Sequence, residues 1–356
     1  MKVAILNDTH FGVKNGSDVF LDYMEKFFMG EFFPYCEENC IKTILHIGDF
    51  FDNRKQVNIK VMKRCREMFL DQLHLHGITM HMIPGNHDIY FKNTNDVCSL
   101  TELLALHDNI NIYMKPTILN LDGLDVALLP WITQDNHEES MKFIQSAAAP
   151  ILMGHLELAG FRYLGNADIK SHGMSHTLFS RYEMVLSGHY HTPSERDNVK
   201  YLGTQYELTW SDVNDRKGFH VLDTQTRDVI KVQNPHRLFF KMGYNDASDD
   251  IPAVCEVTPA IRGGFVRVIV SSKNDPEEFE KFINMVQSHE PFEFKIVESF
   301  EDFAGDSVSD DDISSLDDTS ALINSYVDAI KTDLDAERLK AEMQTVLSEA
   351  QNLDAA

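Results

Sequence analysis

Pro84-Gly85-Asn86-His87-Asp88 follows directly on the apolar run Ile78-Thr79-Met80-His81-Met82-Ile83. A strand that stops at a proline and a glycine hands its next residues to a loop, which places Asn86, His87 and Asp88 at a strand's carboxyl end. Taken alone the stretch reads equally well as an ordinary turn, because Gly and Asn favour turns for backbone reasons. Four more stretches share the layout. Lys2–Leu6 ends in Asn7-Asp8-Thr9-His10, and Thr43–Ile47 ends in Gly48-Asp49-Phe50-Phe51-Asp52. Pro150–Met153 ends in Gly154-His155, and Glu183–Ser187 ends in Gly188-His189-Tyr190-His191.

In an α/β sheet, ligands gather at the carboxyl ends of the strands, so five such ends are expected to point their polar residues into one crevice. They offer Asp8, His10, Asp49, Asn86, His155, His189 and His191 as oxygen or imidazole donors. One ion takes about four to six donors. This larger set, with one carboxylate shared, suits two ions about 3.5 to 4 Å apart, an arrangement used for in-line attack on a phosphate.

The ordered set Asp-x-His, Gly-Asp-x-x-Asp, Gly-Asn-His-Asp, Gly-His and Gly-His-x-His resembles the calcineurin-like metallophosphoesterase superfamily, over roughly residues 1–225. Other stretches resemble the SbcD-type nuclease branch, phage recombination endonuclease (exonuclease) subunits in particular. They are Asp8-Thr9-His10-Phe11-Gly12, Phe50-Phe51-Asp52-Asn53-Arg54, Leu129-Pro130-Trp131, Gly154-His155-Leu156-Glu157-Leu158 and Gly188-His189-Tyr190-His191-Thr192. The resemblance implies an α/β fold, a four-layer α/β/β/α sandwich with a small α+β cap domain and C-terminal helices. It also implies that Asp8, His10 and His191 bind one metal and Asn86, His155 and His189 the other, with Asp49 bridging. His87 would be the catalytic acid, Asp88 would orient it through a hydrogen bond, and Asp52 would stand behind the ligands. The resemblance favours two Mn2+, which mixed imidazole and oxygen donors suit, and the donor set does not exclude Mg2+, Fe or Zn. Asn7 departs from the Ser-Asp context usual before the first Asp-x-His, with no effect expected on ligation.

Composition sets the limits. The 356 residues, 43% hydrophobic, allow one large domain plus smaller ones. With no run of 18 apolar residues and a strand at the start, neither a membrane span nor a signal peptide is expected. The expected location is the cytoplasm, the host's if the gene is a phage's. Five cysteines without a C-x-x-C pair point to reduced thiols. Cys36 and Cys40 would share a helix face, but no further zinc ligands lie near them.

The net charge of −24 is awkward for a DNA-cutting protein, since phosphate contacts normally come from Lys and Arg. Residues 301–356 carry 15 acidic and 3 basic side chains, a net of −12, so half of the excess sits in the tail. Bound metal ions would supply part of the remaining phosphate attraction. Basic candidates for substrate contact near the motifs are Lys14, Arg54, Lys55 and Lys92, of which Arg54 is the best placed and Lys14 the next; solvated loop charge is the alternative for most of them. His172, in the loop before the last motif, is a further candidate.

Helical apolar spacing over Phe20–Cys40 and Val57–His76 predicts crossovers between parallel strands. Met62, Phe69 and Leu73, with Ser99–Leu104, either pack on their own sheet or form a subunit contact; the resemblance implies a homodimer through this region. Gly218–Asp223 reads as a closing strand, and Asn234-Pro235-His236 as the end of a nuclease domain over 1–235. A capping domain over 236–300 is read from a strand at Phe265–Val270, a helix from Asp275-Pro276-Glu277-Glu278 to Ser288, and a strand at Phe292–Val297. Residues 301–318, rich in Asp and Ser, form an acidic linker. Residues 319–356 carry two amphipathic stripes. By resemblance these are partner-binding helices that dock on an SbcC-type ATPase; a self-closing helical hairpin is the alternative.

The function so implied is a metal-dependent DNA exonuclease and endonuclease subunit of an SbcCD-like complex, acting in recombination, repair and replication. A calcineurin-like phosphatase or a cyclic-nucleotide phosphodiesterase would use the same ligands. A noncatalytic DNA-end scaffold would require a broken ligand set, and here every position is filled.

Overall fold

The computed structural model describes residues 1–164, 168–169, 173–213, 215–247 and 259–298. The linker over 301–318, the helices expected over 319–356, His172 and Cys255 lie outside the described residues.

Strands are numbered in chain order. The first sheet opens with β1 (Lys2–Leu6), β2 (Thr43–Ile47), β3 (Thr79–Ile83) and β4 (Ile110–Ile112). The hairpin β5 (Thr117–Leu121) and β6 (Leu124–Leu129) starts the second, followed by β7 (Ile151–His155). A two-stranded ribbon, β8 (Arg162–Leu164) and β9 (Asp168–Ile169), precedes β10 (Met184–Gly188), β11 (Ser194–Arg196) and β12 (Val199–Tyr201). The chain then returns to the first sheet with β13 (Gly218–Asp223) and β14 (Val229–Gln233). Strand orders are β14-β13-β1-β2-β3-β4 and β11-β12-β10-β7-β6-β5.

The period of two along each strand explains the layering. On β1, Val3 and Ile5 pack against the second sheet with Ile151, Met153 and Leu186, while Ala4 and Leu6 face the helices. On β7 and β10, Leu152 and Val185 turn the other way, toward Ile144 of the His137–Ser146 helix. Strands buried on both faces read as near-continuous apolar runs. The result is the α/β/β/α order: helices, first sheet, second sheet, helix. The motif strands are therefore split between two facing sheets. β1, β2 and β3 are parallel neighbours in one, and β7 and β10 are parallel neighbours in the other.

Both crossovers are helical, and each contains a widened turn. Asp18–Phe27 continues through a π-helical stretch, Phe28–Phe32, into Phe33–Glu38; Ile59–Cys65 continues through Arg66–Leu70 into Asp71–Leu75. Phe28 and Phe69, one from each π stretch, meet at 4.8 Å between ring centroids. Burying each such ring stabilises by about 1.5–3 kcal/mol. Phe69 and Leu73 are fully buried in this core, so their side of the helix is taken up within the chain. Cys36 is buried, but Cys40 stands beyond the helix end with left-handed backbone (φ 53) and is exposed. The two do not share a helix face, because the helix stops at Glu38.

After His236 come β15 (Phe239–Asn245), β16 (Phe265–Ser272), the Pro276–Ser288 helix and β17 (Glu293–Val297). The three strands form a parallel sheet of their own, cored by Met242, Tyr244, Val268, Phe279, Phe282 and Val286. Asp275 caps the helix by accepting from the amides of Glu277 and Glu278 at 3.0 and 3.2 Å. Phe239 and Phe265 pack instead against Phe20, joining this sheet to the main core. Buried Glu207 accepts from the amides of Leu238 and Phe239 at 2.6 and 2.9 Å, fixing where β15 begins.

Candidate metal centre

The loops after β1 and β2 are zipped together by backbone bonds: Asp8 N–H to the Gly48 carbonyl at 2.9 Å, His10 N–H to Asp49 at 3.2 Å, and Phe11 N–H to Phe50 at 2.9 Å. Asp8, His10 and Asp49 have φ of 49, 43 and 56, and His189 has 86. Left-handed backbone at non-glycine residues carries a cost of order 1–3 kcal/mol each. Here it turns four donor side chains into one space. Gly85 is required by close approach instead: a Cβ there would lie 2.2 Å from Asp49 Oδ1.

Four imidazoles turn a nitrogen into this space, and two of them, His155 and His10, direct the other nitrogen to a further oxygen. His155 donates from Nδ1 to the Ile47 carbonyl at 2.9 Å, leaving Nε2 3.2 Å from Asp49 Oδ2 and 3.2 Å from Asn86 Oδ1. His10 Nδ1 is 3.3 Å from Asp52 Oδ1, while its Nε2 is 3.8 Å from both Asp8 Oδ1 and Asp49 Oδ2. His191 Nε2 is 3.1 Å from His10 Nε2 and 3.8 Å from Asp8 Oδ1. His189 Nδ1 lies 3.0 Å from Asn86 Oδ1. Ligand atoms of Asp8, His10 and His191 all fall within 4.8 Å of one another, as do those of Asp49, His155 and His189 and those of His10, Asp52 and His87. All seven sequence-predicted donors are thus brought together, with Asp49 Oδ2 between His10 and His155.

The electrostatics fit a cation. Asp8 and Asp49 are almost wholly buried. Burial raises the Asp8 carboxyl and Asp49 adds to it, whereas Asp49 is held well below the carboxylate range, against burial, by His155 and His87. Burial opposes charge on His10 and His155, but the carboxylates outweigh it and lift them to about 10 and about 9. The two buried carboxylates thus favour positive charge in the site. Two buried carboxylates, inward imidazole nitrogens and an amide oxygen form a donor set suited to divalent ions.

His87 lies beside these donors, its ring 4.9 Å from that of His10. Its backbone N–H donates to Asp49 Oδ1 at 2.8 Å, and its Nδ1 donates to the Asp52 carbonyl at 2.5 Å. This corrects the expected role of Asp88. Its Oδ1 accepts from Phe50 and Phe51 amides at 3.0 and 3.2 Å, and its Oδ2 from Gly85 at 2.9 Å. Fully committed to backbone amides, Asp88 pins the loops carrying Asp49 and Asn86 and does not touch His87. Burial, helped by Asp49, pushes its carboxyl up to about 7.

Other supports escaped the sequence reading. Asn7 donates to Asp8 Oδ2 at 2.6 Å and to the Gly203 carbonyl at 2.9 Å, so it fixes the ligand. Buried Lys217 donates to the His191 carbonyl at 2.9 Å, and Gln205 to the Asp8 carbonyl at 3.3 Å. Only the adjacency of Asn7 to Asp8 offered a signal; the other two are distant in sequence. Arg54 and Lys14 stand half-buried on the loops flanking the cluster.

The chain belongs to the calcineurin-like phosphoesterase family, whose model matches residues 1–193. It is 38% identical over 234 residues to exonuclease subunit 1 of Enterobacteria phage T4, covering 66% of this chain and 68% of that protein. It is 24% identical over 268 residues to the SbcD component of the SbcCD nuclease of Staphylococcus epidermidis, covering 65% and 68%. Among solved structures, an archaeal phosphodiesterase aligns at 16% identity with a TM-score of 0.33, over 66% of this chain and 100% of that one. No helix among the described residues is long and apolar enough to cross a membrane.

Proposed function

We propose that this protein is a DNA nuclease subunit that hydrolyses phosphodiesters with two divalent ions, Mn2+ by preference, as part of an SbcCD-like recombination and repair complex. The observation that carries the reading is the pair of donor groups meeting at Asp49, with His87 beside them. Asp8, His10 and His191 would hold one ion, and Asn86, His155 and His189 the other, with Asp49 shared. Bound there, the ions supply water activation and neutralise charge on the phosphate.

The chain's own residues do the rest. The Asp52 carbonyl fixes the His87 proton on Nδ1, so Nε2 is the atom that takes up and gives a proton. That suits His87 to protonating the departing 3′ oxygen. Asp52 also faces His10 Nδ1, which keeps His10 Nε2 turned to the ions. The sheet over 239–297 would act as the cap over the DNA, with Arg54 and Lys14 as phosphate contacts. Docking on an SbcC-type ATPase fits a relative that is itself a subunit of the SbcCD nuclease; homodimer formation is part of this proposal through the motif resemblance alone. With Phe69 and Leu73 spent on the core, a subunit contact would use outward residues such as Leu103 and Leu106.

The test is degradation of an end-labelled linear DNA with Mn2+, alongside an aryl phosphodiester. Rapid DNA cleavage with poor turnover of the small ester supports the nuclease. Rapid turnover of the ester with intact DNA would leave the family and overturn the nuclease.

A further inference from the structure

Beside the metal centre is a cavity of about 210 Å3, whose lining runs from Phe11 and Asn15 on one loop to Asp52, Gln56, Val57 and Val61 on the other side. It adjoins the site through Asp52, whose carboxylate faces His10 and whose backbone carbonyl accepts from His87. Whatever fills it would therefore lie beside His10 and His87.

Its walls are unlike those of a phosphate or metal site. Val57, Val61 and Phe11 are apolar, and the polar lining is mainly side-chain amides, from Asn15, Asn53, Gln56 and Asn58. An amide both donates and accepts; Asn53 and Asn58 spend their oxygens on the backbone N–H groups of Lys55, Gln56 and Lys60, so Asn15 and Gln56 are the amides left to read a base edge, while apolar walls take the ring face. The first wall is held in an unusual conformation: Gly12, Lys14, Asn15 and Gly16 all have positive φ, at 106, 51, 55 and 72. Gly16 lies so close to the facing helix that a Cβ would come within 2.5 Å of Val61 Cγ2. The second wall is braced by Asn53 Oδ1, which accepts from the amides of Lys55 and Gln56 at 2.9 and 3.2 Å. Two fixed loops thus frame a small slot with an apolar back and an amide rim.

We infer that this cavity is a nucleobase subsite, which takes one base of the strand whose phosphate lies at the metal centre. The inference rests on the nuclease reading above and adds to it a way of holding the nucleotide next to the scissile bond. A base inside a duplex cannot enter, so the subsite selects a frayed end or an unpaired strand.

The experiment compares single-stranded oligonucleotides that are intact or abasic at one nucleotide beside the scissile bond, using the full chain with Mn2+ and an aryl phosphodiester as a base-free control. Two variants are tested. Asn15→Gly with Gln56→Ala removes two rim amides and tolerates the left-handed backbone, while Val57→Trp fills the slot. The wild type is expected to cut the abasic strand at least tenfold more slowly than the intact one. In both variants that ratio should fall toward one, through slower cutting of the intact strand, with turnover of the aryl ester within twofold of wild type. Equal cutting of intact and abasic strands by the wild type overturns the subsite alone and leaves the nuclease standing. So does an unchanged ratio in the amide-deleted variant. A wild type that turns over the ester but cuts no oligonucleotide overturns the nuclease reading, and the subsite with it.

Discussion

His87 Nδ1 donates to the backbone carbonyl oxygen of Asp52 at 2.5 Å, across the gap between the loops after β3 and β2. A carbonyl can only accept, so the imidazole is held in one tautomer by an atom that no side-chain substitution removes. His87→Ala should lower DNA cleavage by about 10²–10⁴-fold, the usual worth of a positioned acid or base, with metal content unchanged. Asp52→Asn should cost far less, because the carbonyl remains. Turnover and bound metal, measured on the same preparations, check both.

Asp88 gives a contrasting case. Its two oxygens satisfy three amides, from Phe50, Phe51 and Gly85, in a fully buried setting. Asn in its place would turn an NH2 toward one of them. Asp88→Asn should destabilise by about 1–3 kcal/mol, the cost of leaving a buried donor unpaired. Denaturant unfolding should register this loss, whereas His87→Ala should barely shift the midpoint.

The aromatic core between the two crossover helices supplies a prediction about stability alone. Phe69 is fully buried and its ring contacts those of Phe11, Phe28, Phe32, Phe33 and Phe50. Phe69→Ala should cost about 3–5 kcal/mol. The effect should appear as a lower unfolding midpoint, with bound metal retained at temperatures where the chain is folded.

His220 on β13 makes stability depend on pH. Burial, aided by Lys231 and Lys200, lowers its pKa from 6.5 to about 3. The unfolded chain therefore binds a proton that the folded chain refuses between those values. Stability from this group is complete above pH 6.5 and is lost as pH falls toward 3, at up to about 1.4 kcal/mol per unit. His220→Gln should flatten the stability profile by one proton across that window, as read by unfolding at a series of pH values.

The strand ends were legible because each pairs an apolar run with a glycine or an asparagine and then a donor. β1 and β2 keep the ranges read from the sequence, and β3, β7 and β10 differ from them by one or two residues. Their division between two sheets was not legible in the runs themselves, since a strand buried on both faces looks the same in either sheet. It entered through the family resemblance. The hairpin of β5 and β6 did leave a signal, Asp122-Gly123 with φ of 52 and 88, a pair suited to a two-residue turn. β15 left little, because Phe239–Asn245 interrupts its apolar pattern with a lysine and a glycine. At the site, donor identity was readable but support was not. Asp88 looked like a partner for its neighbour His87, yet its bonds run to amides brought in by two other loops. Lys217 and Gln205 reach His191 and Asp8 only through the fold.

The most direct test of the metal centre is the number of Mn2+ ions bound per chain, measured by titration calorimetry for the wild type and for Asp49→Ala. Asp49 Oδ2 lies 3.2 Å from His155 Nε2 and 3.8 Å from His10 Nε2, between the two donor groups. Two ions are expected in the wild type, and at least tenfold weaker binding at one or both sites in the variant. Equal stoichiometry and affinity in the two proteins would contradict a centre shared through Asp49.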